Sequence, residues 1–266
     1  AVDRARLKGR VVFSVSVMEE VIEGYLLEPV IARFVPDLVM IGEPSDMKLI
    51  HGSRGRAEIL VTATGQPAHS SLPAQGINAV HLMMSAIAAI EKVPLPAHPQ
   101  IGSAVLALTD IISEPYPGHS MIPSVCRATY DRRTLPGETA EQILCAWDGL
   151  AGMERVRTEI ATGRYTTYTG QEIVIPKYFP AWYLDNEHVL LQSAGDGLRS
   201  CGIDVRLGTW PFNTNATYTA GLKNIPTIGF GPSKERLAHA VDEFIDLGEL
   251  KKAACGYLGM INHILM

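Results

Sequence analysis

Two adjacent acids, Glu19 and Glu20, close the β-branched run in SVSVMEEVIEG. A third, Glu43, stands in GEPSD, where Pro44 ends a second apolar run and fixes the turn. Side-by-side carboxylates at the end of an apolar strand repel each other and resist desolvation unless positive charge sits between them. His239 lies in LAHAVDE, directly after IGFGP. Carboxylate oxygen and imidazole nitrogen are the usual ligands of a catalytic zinc, which keeps one coordination position for water. Singly, an acid at a strand end is an ordinary loop residue, and a histidine before a helix is an ordinary cap or surface group. Their co-occurrence at corresponding strand ends points to a metal-binding, water-activating centre.

The chain has 266 residues, is 47% hydrophobic and 19% charged, and carries a net charge of −5. That is ordinary globular composition, enough for one large or two modest domains. The mild acidity argues against nucleic acid, because phosphate binding needs a basic surface. No apolar run reaches the roughly 18 residues of a membrane span. The longest, AVHLMMSAIAAI, is broken by His81. Cys126, Cys145, Cys201 and Cys255 are far apart with no C-x-x-C pair, and read as reduced, buried thiols of a cytoplasmic protein. No signal peptide opens the chain. Its start, AVDRARLKGRVVFSVSV, reads as the end of a helix entering a core strand, so residues are expected before Ala1.

The elements that must position these groups follow from periodicity. Residues 11–17 and 38–41 are continuous apolar runs ended by acids, as parallel strands are when a site forms at their carboxyl ends. From about residue 55 the texture changes. GRAEILVTATG alternates as a half-buried strand, and GINAVHLMMSAIAAIEKV has helical period. GSAVLALTDIIS and SVCRATYDRR read as strands, GETAEQILCAWDGLAG as a helix opened by Glu138 and Thr139, and ERVRTEIAT as a last strand. The order βαββαβ predicts a ferredoxin-like module, an antiparallel sheet with two helices on one face. Further on, NEHVLLQSAGDGLRSCG is a helix closed by Gly202 and IPTIGFG a short buried strand. VDEFIDLGELKKAACGYLGMINHIL is a long amphipathic helix. The predicted architecture is an α/β domain with a mostly parallel sheet, built from residues 1–54 and 165–266 and N-terminally incomplete. An α+β lid at 55–164 interrupts it.

Five of these stretches together resemble the zinc-dependent aminoacylase/carboxypeptidase family, which includes acetylornithine deacetylase, succinyl-diaminopimelate desuccinylase and glutamate carboxypeptidase. They are SVSVMEEVIEG, GEPSD, GSRGRAEILVTATGQPAHSSLPAQGINAV, YDRRTLPGET and GFGPSKERLAHAVDE, similar in order and spacing over essentially the whole chain. YFPAWYLDNEH and WPFNTNATY are most similar to a branch of uncharacterised hydrolases associated with selenium metabolism. The resemblance implies hydrolysis of an amide bond in a small N-acyl amino acid, dipeptide or related substrate. It implies one or two divalent ions, zinc or else cobalt or manganese, and a homodimer formed through the inserted module. Glu19 would be the general base; Glu20 would ligate one metal with His239, and Glu43 the other. His69, in AHSS, would help polarise the scissile carbonyl, often from the partner subunit. Arg133, with Asp131 and Pro136, matches a D-x-R-x-x-P pattern whose arginine binds a substrate carboxylate. Asn213, Thr214 and Asn215 occupy the substrate-contact loop, where the family has a small-hydroxyl-acid run and this sequence departs from it.

A larger departure concerns the metal. The family's H-x-D histidine and bridging aspartate precede the glutamate pair, and no H-x-D occurs anywhere in this sequence. Either those ligands lie upstream of Ala1, or the chain is a fragment holding a poor single-metal site through Glu20 and His239. The rival reading is a non-catalytic, metal-poor homologue that binds a small molecule or partner chain through the lid. Without the upstream ligands, the three carboxylates should repel and at least one pKa should rise. No G-x-S-x-G elbow or Walker loop supports serine-hydrolase or nucleotide chemistry. Arg54 and Arg56 lead into the lid, and the remaining histidines have no matching context. Leu82, Met83 and Met84 on the lid helix, with an edge strand, predict a two-fold dimer.

Overall fold

The computed structural model describes residues 6–266. The chain divides into two compact units, Ala1–Arg54 with Ala181–Met266, and Gly55–Pro180. In the first arm, α1 (Glu19–Ile22) and α2 (Glu28–Phe34) lead to β1 (Val39–Ile41) and β2 (Leu49–Ser53). Residues 11–17, predicted as a core strand, belong to no ladder among the described residues; Phe13 is 89% and Val15 82% exposed. β-Branched residues favour extended backbone, but a strand also needs a neighbour offering its N–H and C=O groups, and this run has none.

The second unit runs through β3 (Gly55–Thr64), α3 (Ala79–Ile90), the short ribbon β4 (Ala97–His98) and β5 (Gly102–Ser103), β6 (Val105–Glu114) and β7 (Val125–Thr134). It continues with α4 (Ala140–Cys145), β8 (Val156–Ile160), the hairpin β9 (Thr162–Thr166) and β10 (Glu172–Pro176), and β11 (Tyr178–Phe179). β3 pairs antiparallel with β7 and, on its other edge, with β8 and β11; β6 pairs with β7. This is the predicted ferredoxin-like sheet. β3 and β7 bury every second residue, so Ile59, Val61, Ala128 and Tyr130 face Met83, Ile90, Ile143 and Trp147 from the helical segments. Asn78 caps α3, and Thr139 with Gln142 forms a reciprocal capping box on α4. Residues 165–180, assigned by sequence to the other domain, belong to this unit, because β10 pairs with β9 and β11 with β3. Met83 is fully buried and serves the core rather than an interface, whereas Met84 is 60% exposed. β6 is an edge strand whose Leu108, Ile111 and Ile112 are exposed. Of the cysteines, all free, only Cys126 is buried.

The chain then returns to the first unit through β12 (Trp182–Tyr183), α5 (Val189–Ser200), β13 (Leu207–Trp210), β14 (Thr227–Gly229) and α6 (Leu247–Leu265). The α/β class holds, and the sheet is mixed. β1 runs parallel to β14 and β13 parallel to β2, while β14 and β12 run antiparallel to β2. The link from β1 to β2 is too short for the crossover that a parallel return requires, so β2 reverses direction. The predicted C-terminal helix starts later than its apolar pattern, at Leu247, because the Asp246 side chain accepts from the Glu249 N–H there. α5 and α6 meet at glycines: a Cβ on Gly197 would lie 2.6 Å from the Gly259 carbonyl oxygen, and one on Gly259 would lie 2.2 Å from that of Gly197.

β2 is buried along its whole length, including His51. The His51 Nδ1–H donates to the Leu184 carbonyl at 2.8 Å, and burial holds its pKa below the usual 6.5. A histidine with a depressed folded pKa contributes full stability above its unfolded pKa and loses it as pH falls. We expect the unfolding midpoint in urea to drop as pH falls below about 6.5. His51→Gln should flatten that slope; an unchanged slope would refute the assignment.

Candidate active site

The acid pair opens α1, and Met18 ahead of it adopts a left-handed conformation (φ 58°). Adjacent helical residues project about 100° apart, so the two carboxylates leave the backbone in different directions. Glu19 turns inward and receives the backbone N–H of Asn215. Glu20 points outward, with its Oε2 3.5 Å from His239 Nε2; the two side chains are 72% and 76% exposed.

Glu43 follows β1, and the loop after β14 leads towards His239. Because those strands are parallel neighbours, both loops leave one edge of the sheet. They are laced together there: the Gly231 N–H donates to Ser45 Oγ at 3.0 Å and the Asp46 N–H to the Ser233 carbonyl at 2.8 Å. Gly231 itself is confined, since a Cβ would lie 2.3 Å from the Glu43 carbonyl oxygen. Besides the Glu20–His239 approach, the carboxylates feel one another's charge. Burial, then repulsion from Glu43, Glu20 and Glu23, pushes the Glu19 carboxyl up to about 7, opposed by the Asn215 N–H. Burial and Glu20 also raise Glu43, which His239 offsets. The expected repulsion among carboxylates is present.

The loop 213–215 lies beside this cluster. The Asn215 Nδ2 amide donates to Ser16 Oγ at 2.8 Å, and Thr214 Oγ1 accepts from the Ala216 N–H at 3.2 Å. Asn213 is buried, and neither end of its carboxamide has a hydrogen-bond partner among the described residues. The chain then enters a π-helix at Thr217–Leu222, a conformation concentrated at functional sites.

His69 and Arg133 belong to the second unit. His69 Nδ1 lies 2.7 Å from Ser71 Oγ and accepts the Ser71 backbone N–H at 3.2 Å. Arg133 Nε is 2.8 Å from Asp131 Oδ1, and Arg56 Nε is 3.0 Å from Asp131 Oδ2. The guanidinium predicted to hold a substrate carboxylate therefore holds a protein carboxylate on the outer face of β7.

Could the first-unit residues hold a metal? The donor chemistry is right, but the shell falls short. Glu20 and His239 are two donors, with Glu43 within electrostatic reach. A structural or catalytic zinc takes three or four protein ligands. Among the described residues, no three His, Cys, Asp or Glu side chains gather closely enough to hold an ion. These residues do not complete a metal site by themselves.

Residues 51–154 match the peptidase dimerisation domain family. The chain is 29% identical over 237 residues to the uncharacterised protein YgeY of Escherichia coli K12, covering 86% of this chain and 58% of that one. It is 28% identical over 220 residues to acetylornithine deacetylase of Aliivibrio fischeri MJ11, covering 80% and 54%. The Bacillus subtilis YXEP protein, described as a dinuclear metal-binding peptidase from the M20 family, has a similar fold, with TM-score 0.57 and 14% identity over 86% of this chain and 56% of that one. These likenesses support kinship with the M20 aminoacylase/peptidase family. The chain spans little more than half the length of the curated relatives it matches.

Two further residues near the cluster were not singled out in the sequence. Glu23 is a buried carboxylate one turn beyond the acid pair, and its spacing from Glu19 and Glu20 was the available signal. Tyr257, on α6, donates to the Phe230 carbonyl; burial and Glu43 push its pKa to about 12. Nothing in the periodicity of α6 marked it.

Proposed function

We propose that this chain carries the C-terminal part of an amidohydrolase centre that cleaves a small N-acyl amino acid, dipeptide or related amide. The observation that carries the reading is that Glu20 lies 3.5 Å from His239 while Glu19, Glu20 and Glu43 stand within electrostatic reach of one another, the four coming from three places in the sequence. Glu19 is the base. A carboxyl raised to about 7 can take a proton from an attacking water and pass it to the leaving amine near neutral pH. Glu20, Glu43 and His239 are the ligands this chain offers to a divalent ion, zinc in our reading. The described residues do not by themselves complete that ion's shell. The loop 213–215 contacts substrate: a buried carboxamide without partners is costly unless a ligand or water meets it. His69 polarises the carbonyl, and Arg133 is left to the surface ion pairs of β7. The relative named acetylornithine deacetylase supports the deacylase class, and the YXEP description supports divalent metal.

The incomplete shell favours a second reading, a metal-poor chain that binds a small molecule without turning it over. Zinc titration followed by calorimetry, with a panel of N-acyl amino acids and dipeptides, separates them. Zinc uptake with hydrolysis supports the enzyme; substrate binding with neither supports the alternative.

We also propose a homodimer through the second unit, using the β6 edge and Met84. Light scattering at micromolar concentration should give twice the chain mass, and Ile111→Lys should halve it. A wild-type monomer would defeat this proposal.

A further inference from the structure

We propose that Ser71 is a positioning residue that fixes the tautomer of His69, so that the neutral ring carries its proton on the outer nitrogen, Nε2. The inner nitrogen decides the matter. The Ser71 backbone N–H donates to Nδ1 at 3.2 Å, a bond that needs a lone pair on that atom. The Ser71 hydroxyl lies 2.7 Å from the same nitrogen, so its O–H also donates. With Nδ1 accepting twice, a neutral imidazole has only Nε2 left for its proton.

The backbone makes this arrangement a fixture of the fold. His69 bridges to Met121. The Ser70 N–H donates to the Ser120 carbonyl at 2.8 Å and the Ile122 N–H to the Ala68 carbonyl at 2.8 Å. The Leu72 N–H turns back onto the His69 carbonyl at 2.9 Å. The segment is thus clamped on both sides of the histidine, and Ser71 is held where it caps the ring. His69 is exposed, and its Nε2 has no protein partner among the described residues.

The chemical consequence divides the roles. A neutral ring with Nε2–H can donate a hydrogen bond to a carbonyl oxygen or to the oxyanion it becomes; it cannot accept a proton at that atom. His69 is therefore a polariser, and proton abstraction stays with Glu19. The use of His69 in catalysis rests on the hydrolase reading, but the tautomer itself does not.

The test is long-range 1H–15N correlation on the 266-residue protein with labelled histidine, at a pH where imidazole is neutral, with His69 assigned by its loss in His69→Gln. We expect one tautomer, Nε2–H. Ser71→Ala keeps the backbone N–H but removes the hydroxyl, and should raise the Nδ1–H population about five-fold, in line with loss of one neutral hydrogen bond. Ser71→Thr should restore the wild-type pattern. An Nδ1–H wild type, or populations unchanged in Ser71→Ala, overturns the proposal. A shifted tautomer with unaltered turnover confirms it and removes His69 from the hydrolase reading instead.

Discussion

Under the proposed hydrolase reading, Glu19→Gln is expected to lower kcat by about 10²–10⁴-fold, the usual contribution of a positioned general base. The amide is nearly isosteric and can still accept the Asn215 N–H, so the local fold should persist. What disappears is an inward-turned carboxyl whose pKa is raised to about 7. KM should move little, because the base acts on water rather than on bound substrate. Glu20→Gln should behave differently. Its carboxylate faces His239 at 3.5 Å, so the expected loss is in zinc affinity, read by calorimetry, with turnover restored by excess zinc. If Glu19→Gln retains turnover within a few-fold, the division of labour between the two acids is wrong.

The largest effect on stability is expected at Trp210. Its side chain is fully buried, its indole N–H donates to the Pro44 carbonyl at 2.9 Å, and its ring stacks on Phe212 with centroids 5.8 Å apart. Gly229 lies against the ring, where a Cβ would come within 2.1 Å of it. Trp210→Ala should therefore cost about 3–5 kcal/mol from the lost packing and cavity. The orphaned Pro44 carbonyl adds to that. Such a loss is a large fraction of the stability of an ordinary domain. Urea unfolding should show the midpoint falling steeply, and Trp210→Phe falling less. A loss below about 1 kcal/mol for the alanine variant would mean that this ring does not hold the sheet together as described.

Local pattern made the second unit legible, because its order is set by neighbours in sequence. Alternation in β3 and β7, the Thr139 cap and the period of α3 each predict a local conformation that the tertiary fold agrees with. The first unit was harder. Residues 11–17 have every local property of a strand, yet pairing is a property of neighbours, and none among the described residues joins them. β2, although fully buried, escaped notice because His51, Gly52 and Ser53 break its apolar run. The candidate site shows the same division. The acids and His239 were visible as residue types following apolar runs. The inward turn of Glu19, the outward turn of Glu20 and the engagement of Arg133 by Asp131 depend on long-range geometry that no spacing encodes. The Gly197–Gly259 crossing was hidden for the same reason: each glycine looked like an ordinary weak point in its own helix.

The edge presented by β6 has a further consequence for handling the protein. Among the described residues no strand pairs with its outer row of backbone groups, and Leu108, Ile111 and Ile112 stand exposed along it. An uncovered apolar edge accepts any strand that reaches it, native or not. During synthesis, chains whose edges have not yet met a correct partner compete for one another's, so crowding in an expression host favours precipitation over assembly. Asp110 and Glu114 on the same strand place like charge along that edge and oppose indiscriminate stacking. Solubility of this chain should thus be governed less by its core than by how quickly that one strand is covered.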